Sequence, residues 1–304
     1  MRVDDLALEL DLDLGDDRPL LLGLVGSGIS GSLSKPLHER EGRACGLSLT
    51  YRPVDADALG FGADDLPDVL RWAGRLGFDG LNVTHPFKRA VVPLLDHRSD
   101  AVDALGAANT VVIRDGRTTG YNTDWSGFAQ SLRRSLPDPA GQRAVLLGAG
   151  GAGVAVGYAL LQLGLAHVAV HDVDRDRAAA FVERFADTFG AGRLSVVEDL
   201  AAEVALADGL VHATPTGMLG HPGLPVPAEL VRPGLWVADI VYFPLDTELV
   251  RLARSRGCRV VPGGGMAVFQ AATAFELFTG RQPDAERMLR HFDRLTAPQP
   301  VTGG

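Results

Sequence analysis

Apolar residues along the 304-residue chain keep two rhythms, and their alternation predicts a fold before any single side chain is considered. Compact runs with little polar alternation, such as residues 20–25, 80–83, 144–147, 167–171, 209–213 and 235–240, read as strands buried on both faces of a sheet. Residues 49–54, 194–197 and 259–261 read as further strands. Helical patterns fall between them, at residues 35–46, 65–76, 90–95, 100–105, 124–136, 152–163, 175–189, 200–207, 247–257 and 266–279. Residues 108–114 and 118–121 predict a hairpin, because Asp115-Gly116 is a two-residue turn signal. Strand and helix therefore alternate in two blocks, an α/β fold of two domains. Pro137, Pro139 and Gly141 break the chain after a helix that bridges the blocks, and the glycines at 263–265 turn the chain into the helix at 266–279. Residues 1–19, with Leu alternating among Asp (LALELDLDL), are expected to be a frayed acidic extension, and residues 296–304 a flexible end.

Ligand chemistry is most legible in residues 143–172, a complete strand–helix–strand unit. Gly148, Gly150 and Gly153 form a G-x-G-x-x-G turn. The first glycine permits the tight turn, the second lets a pyrophosphate approach the backbone, and the third lets the helix pack closely. The helix at 152–163 is small and apolar almost throughout, so it lies on a sheet with its N-terminal amides free for an anion. Asp172 ends the second strand, where a carboxylate accepts hydrogen bonds from a ribose 2′-hydroxyl and repels a 2′-phosphate; this favours NAD over NADP. Gly26, Gly28 and Gly31 repeat the spacing, with Asp55 after a second strand. That copy is rejected because its helix carries His38, Glu39, Arg40, Glu41 and Arg43, too polar a set to lie flat on a sheet.

Composition narrows the partners. A formal net charge of −9 without Lys/Arg clusters argues against a nucleic-acid surface. Cys45 and Cys258 are the two cysteines, with no metal-ligand spacing, no secretory segment and no apolar run long enough for a bilayer, so a reducing cytoplasm is the expected home and a metal is not expected.

Four polar clusters follow apolar elements, where parallel α/β folds place ligands. Ser32 and Ser34 present two hydroxyls that can hold one carboxylate, or Ser34 can cap a helix. The segment at 82–88, NVTHPFK, brings Lys88 onto an apolar stretch, where desolvation disfavours an ammonium and eases proton transfer, and His85 there reads as a structural hydrogen bonder. Asn109-Thr110 and Asn122-Thr123-Asp124 complete the set, with Asp124 either capping a helix or joining Lys88 to orient an alcohol and move its proton.

In this order, with Gly-Ala-Gly-Gly-Ala at 148–152 and Gly-Met-x-x-x-Gln at 265–270, the clusters resemble the shikimate/quinate dehydrogenase family over residues 20–292. The resemblance implies an N-terminal α/β substrate domain (20–125 and 268–295) and a doubly wound Rossmann dinucleotide-binding domain (126–267), with the C-terminal helix returning to the first. It implies Lys88 and Asp124 as the catalytic pair, Ser32 and Ser34 on the substrate carboxylate, Thr84, Asn109 and Gln270 on ring hydroxyls, and Tyr242 at the substrate mouth. For the cofactor it implies Gly148, Gly150, Gly151, Ala152, Gly153 and Asp172, the loop of Thr214, Pro215, Gly217 and Met218, and Gly265 with Met266. The chain departs from the pattern at Lys35, where many members have proline and this chain has Pro36 one place later, and at Phe269. Its HDVD at 171–174 is similar to the NAD-using branch. The expected reaction is reversible oxidation of shikimate, quinate or an amino-substituted analogue, a small carboxylated polyol, by a monomer or homodimer. A methylenetetrahydrofolate dehydrogenase and a non-catalytic dinucleotide-binding regulator are the competing readings.

Overall fold

A computed structural model describes residues 18–136 and 138–297, which gather into two compact units. One runs to Ser126 and resumes at Gln270; the other is Gly127–Phe269.

The first unit contains β1 (Leu20–Gly26), α1 (Ser34–Ala44), β2 (Leu49–Asp55), α2 (Ala56–Leu59), α3 (Leu66–Arg75), β3 (Gly80–Val83), β4 (His97–Arg98), α4 (Asp100–Leu105), β5 (Thr110–Arg114) and β6 (Arg117–Tyr121), and α5 (Thr123–Ser135) leaves it. Its sheet runs β2-β1-β3-β5-β6-β4. β1, β2 and β3 are parallel, whereas β5 and β6 form the expected antiparallel hairpin, with Asp115 and Gly116 both at positive φ as a primed turn requires. Two expectations fail here. Residues 90–95 make only a 3-10 turn, Val92–Leu94, because Pro93 has no N–H with which to continue a helix, and β4 follows instead.

The second correction concerns α1. Despite its charge it turns Leu37, His38, Glu41 and Gly42 inward, because Glu41 and one ring nitrogen of His38 find internal partners. His38 Nδ1 bonds the Ser34 carbonyl at 2.9 Å. Glu41 takes both Nε and Nη2 of Arg287, at 3.0 and 2.6 Å, from α11 (Ala285–Thr296), and also accepts the Asp284 amide. α11 was not read from the sequence, although Met288 and Phe292, one turn apart and buried, mark its inner face. The first glycine turn is also closed by the protein itself, since Asp55 accepts the Gly28 and Ile29 amides at 3.2 Å each.

The second unit is built from β7 (Arg143–Leu147), α6 (Gly151–Gln162), β8 (His167–His171), α7 (Arg175–Phe189), β9 (Leu194–Val196), α8 (Leu200–Leu206), β10 (Gly209–His212), β11 (Trp236–Asp239), α9 (Glu248–Ser255) and β12 (Arg259–Val261), and α10 (Gly263–Thr279) carries the chain back. Its six strands are all parallel in the order β12-β11-β10-β7-β8-β9, the doubly wound arrangement, with the switch point between β7 and β10. The glycines at 263–265 are the first turn of α10 rather than a preceding loop. A Cβ on Gly263 would stand 2.5 Å from the Ile240 carbonyl oxygen, and one on Gly265 would stand 2.2 Å from Ser131 Oγ, so close packing demands them. The acidic extension, apart from its last two residues, lies outside the described residues, as does most of the flexible end.

Burial of His38 makes the first unit acid-sensitive. The imidazole is fully enclosed against Tyr51, Phe275 and Phe278, its Nε2 has no partner, and desolvation pushes its pKa down to about 4 against the opposing Ser34 bond. Unfolding lets the ring take a proton below pH 6.5 that the folded protein refuses until about pH 4. Its contribution is therefore intact above pH 6.5 and lost as pH falls through that window. At about 1.4 kcal/mol per pH unit the loss reaches about 3 kcal/mol. Urea unfolding of the wild type and His38→Gln at pH 7, 5.5 and 4.5 should show a shallower decline for the variant; parallel curves would assign the acid sensitivity to other groups.

Candidate active site

Lys88 and Asp124 meet in the first unit. Lys88 Nζ lies 2.6 Å from Asp124 Oδ2, with the lysine side chain 26% and the aspartate 11% exposed. Each is held by its backbone. Lys88 follows β3 on a turn where Phe87, fully buried and stacked on Phe61, donates its amide to the Thr84 carbonyl, while the Lys88 carbonyl accepts the Ala108 amide at 2.8 Å. Asp124 sits in the first turn of α5 but does not cap it. Asn122 does, its Oδ1 accepting the Asp124 amide at 3.1 Å, which leaves the Asp124 carboxylate free for side chains.

Asn109 fixes the other carboxylate oxygen. Its Nδ2 donates to Asp124 Oδ1 at 2.9 Å and reaches Thr123 Oγ1 at 3.0 Å and Gln270 Oε1 at 3.4 Å, while its Oδ1 accepts the Thr123 amide at 2.7 Å. Both amide ends are thus used, which fixes the orientation of Asn109. Behind it, Tyr51 donates to Asn82 Oδ1 at 2.7 Å, and Asn82 Nδ2 reaches the Asn109 carbonyl and Thr110 Oγ1. Burial drives the Tyr51 phenol upward, so it stays a neutral donor, with Ser34 acting in opposition. Sequence reading missed Tyr51 and the supporting role of Asn82; the available signal was one amide in the otherwise apolar four-residue strand GLNV.

Ser32 and Ser34 lie together, Oγ to Oγ at 3.2 Å, and Ser32 Oγ also accepts the Ser34 amide. Neither caps α1, whose N-cap position is Leu33 without a side-chain bond. Pro36 falls in the first helical turn, where a missing N–H is harmless, and Lys35 reaches out to the Tyr51 carbonyl and Glu39. Thr84 is half-buried, its methyl pressed against Gly26, where a Cβ would approach to 2.2 Å. Lys88, Asp124, Asn109 and Gln270 therefore converge on one another, while the serine pair stands beside Tyr51.

In the second unit Gly148 has φ +98, and a Cβ there would meet the Ala213 carbonyl oxygen at 2.6 Å; a Cβ on Gly153 would meet the Gly148 carbonyl oxygen at 2.0 Å. Gly150 and Gly151 face open space, and α6 begins without a side-chain cap, as a turn that receives an anion requires. Asp172 Oδ2 accepts the Ala149 amide at 2.7 Å and Oδ1 the Asp174 amide at 2.9 Å, so the carboxylate is anchored to the turn and retains acceptor capacity. Thr214 and Pro215 open the loop after β10, Gly217 holds φ +91, and Met218 and Tyr242 are exposed. Gly265 and Met266 lie in the first turns of α10, with Met266 buried.

Fold and site together define a dinucleotide-binding α/β protein whose other unit carries a lysine–carboxylate centre. Residues 24–111 match the shikimate dehydrogenase substrate binding domain, and residues 263–291 the shikimate 5′-dehydrogenase C-terminal domain. The chain is 54% identical to shikimate dehydrogenase (NADP(+)) of Streptomyces avermitilis, over 92% of this chain and 97% of that one. It is 45% identical to quinate/shikimate dehydrogenase (NAD(+)) of Corynebacterium efficiens, over 90% and 97%. Quinate dehydrogenase from Corynebacterium glutamicum, solved in complex with NAD, superposes with a TM-score of 0.85 at 44% identity, covering 90% of this chain and 98% of that one. The chain belongs to the shikimate/quinate dehydrogenase family.

The glycines separate packing from ligand access in a testable way. Gly150→Ala adds a methyl to open space at an ordinary φ of −72°, so thermal stability should stay near wild type while dinucleotide affinity falls at least tenfold. Gly153→Ala should lose both, because its methyl cannot coexist with the Gly148 carbonyl. Melting curves beside fluorescence titration with dinucleotide would distinguish them; unchanged affinity in Gly150→Ala would move the pyrophosphate elsewhere.

Proposed function

We propose that the protein reversibly oxidises the ring hydroxyl of shikimate, quinate or both, preferring NAD to NADP. The observation that carries this reading is the 2.6 Å contact of Lys88 with an Asp124 carboxylate that Asn109 holds from the other side. The dinucleotide, when bound, accepts or supplies the hydride. Lys88 holds and moves the proton at the alcohol oxygen, and Asp124 keeps its ammonium aimed there. Asn109 and Gln270, hydrogen-bonded to each other at 3.4 Å, offer amide groups for ring hydroxyls, together with Thr84. Ser32 and Ser34 offer paired hydroxyls to a carboxylate. Gly148, Gly150, Gly151, Ala152 and Gly153 hold the pyrophosphate at the start of α6. A regulator without chemistry would have no use for a lysine so placed, and an amino-substituted analogue of the substrate is the remaining alternative. No helix among the described residues is long and apolar enough to cross a membrane, and the two cysteines are free, in keeping with a cytoplasmic enzyme.

The preference for NAD rests on Asp172. Relatives named for either dinucleotide match this chain well, so charge at the ribose is the better guide. A 2′-phosphate near Asp172 meets like charge, and the nearby cations are engaged: Arg175 pairs with Glu198, and Arg177 Nε lies 3.1 Å from Asp174.

Two sets of measurements test the reading. Initial rates for shikimate, quinate and an amino analogue with each dinucleotide should favour NAD at least tenfold in kcat/KM, about 1.4 kcal/mol, and Asp172→Asn should narrow the gap chiefly by improving NADP. Equal use of both by the wild type would remove Asp172 from the ribose. Lys88→Ala should lower turnover by about two to four orders of magnitude with dinucleotide binding retained. Asp124→Asn should also lower it, and the double variant should fall little further than the worse single one. Fully additive losses would contradict a unit.

A further inference from the structure

The second unit buries a polar chain that no role above uses. His212 and Asp239 end the adjacent parallel strands β10 and β11 in register, both essentially without solvent contact. Asp239 Oδ1 receives His212 Nδ1 at 2.9 Å and the Val241 amide at 3.0 Å, and Oδ2 receives the Thr247 hydroxyl at 2.6 Å. Because a carboxylate only accepts, His212 Nδ1 is the donor of that pair, and the ring is held with Nε2 turned toward the loop after β10. Nε2 lies 2.6 Å from Thr214 Oγ1. Thr214 Oγ1 also donates to the Thr216 hydroxyl at 3.2 Å and accepts the Thr216 amide at 3.3 Å.

Both ends of the 214–217 loop are gripped by this chain. Thr214 is held through His212, while Thr247 closes on Gly217, where a Cβ would lie 3.4 Å from Thr247 Cβ. The loop abuts the glycine turn, since a Cβ on Gly148 would lie 3.0 Å from the Thr214 methyl. It thus walls the switch-point crevice between β7 and β10, where a doubly wound sheet takes its dinucleotide. Hydroxyl, imidazole and carboxylate follow the order found in hydrolases, but here the hydroxyl oxygen is tied back into its own loop, which suits holding rather than attack.

We propose that Asp239, His212 and Thr247 are positioning residues that fix the Thr214–Gly217 loop as the wall receiving the nicotinamide end of the dinucleotide. This rests on the dehydrogenase reading above. Thr214→Val keeps the shape and removes the hydroxyl, and should raise KM for the dinucleotide about tenfold with kcat changed less than about threefold. Thr214→Ser should return KM to within about twofold of wild type. His212→Asn keeps a donor for Asp239 but removes the ring nitrogen that meets Thr214, and should raise KM as Thr214→Val does, with the double variant no worse than either alone. A Thr214→Val enzyme that melts earlier yet retains wild-type KM would reduce the chain to a structural support and overturn the proposal, as would a serine variant as impaired as valine, or additive losses. Direct fluorescence titration with dinucleotide reads the same loop without turnover. A wild type that binds dinucleotide but oxidises none of the substrates would therefore sink the dehydrogenase reading while leaving the loop's part measurable.

Discussion

The Asp124 carboxylate is the constraint around which the polar cluster of the first unit is arranged. Near-buried, it needs hydrogen-bond donors on both oxygens, and Asn109 and Lys88 supply them. This requirement organises what surrounds it. Asn109 needs its amide oxygen occupied to hold its orientation, and the Thr123 amide does that; Asn122 takes over helix capping so that Asp124 need not. Tyr51 and Asn82 then fix the strand end that carries Asn109. The carboxylate that meets Lys88 is thus held by structure that has its own reasons to be rigid.

A second device appears in both units. A carboxylate at the end of the second strand reaches across to the glycine turn that follows the first: Asp55 to the amides of Gly28 and Ile29, Asp172 to that of Ala149. In the first unit the turn amides are consumed in this way. In the second a single amide is taken, and the uncapped start of α6 beyond it remains available. The two copies of one glycine spacing thus differ in what their aspartates leave over.

Strands were legible in the sequence because burial on both faces leaves a continuous apolar run, and the Asp115-Gly116 hairpin because its turn needs positive φ. Lys88, Asp124, Asn109 and Gln270 were legible as a group through the order of their motifs, and the structure brings them within hydrogen-bonding reach of one another. Pairings across long separations were not legible. His38 and Glu41 look like a solvated face until Ser34 and Arg287, the latter 246 positions away from Glu41, are seen to satisfy them. His212 and Asp239 are unremarkable residues 27 positions apart that only strand register joins. The glycines at 263–265 look like a loop because the backbone carbonyl and serine they pack against are invisible to local pattern.

Chemical rescue tests most directly whether Lys88 acts as the proton carrier that Asp124 aims. Lys88→Ala leaves a space beside an intact carboxylate, into which a small primary amine can diffuse as an ammonium. The account predicts that turnover of shikimate or quinate by this variant rises with methylamine or ethylamine concentration and saturates, and that Asp124→Asn on the same background abolishes the rescue. A variant that binds dinucleotide and substrate yet gains nothing from any amine, or one that needs none to match the wild type, would contradict it.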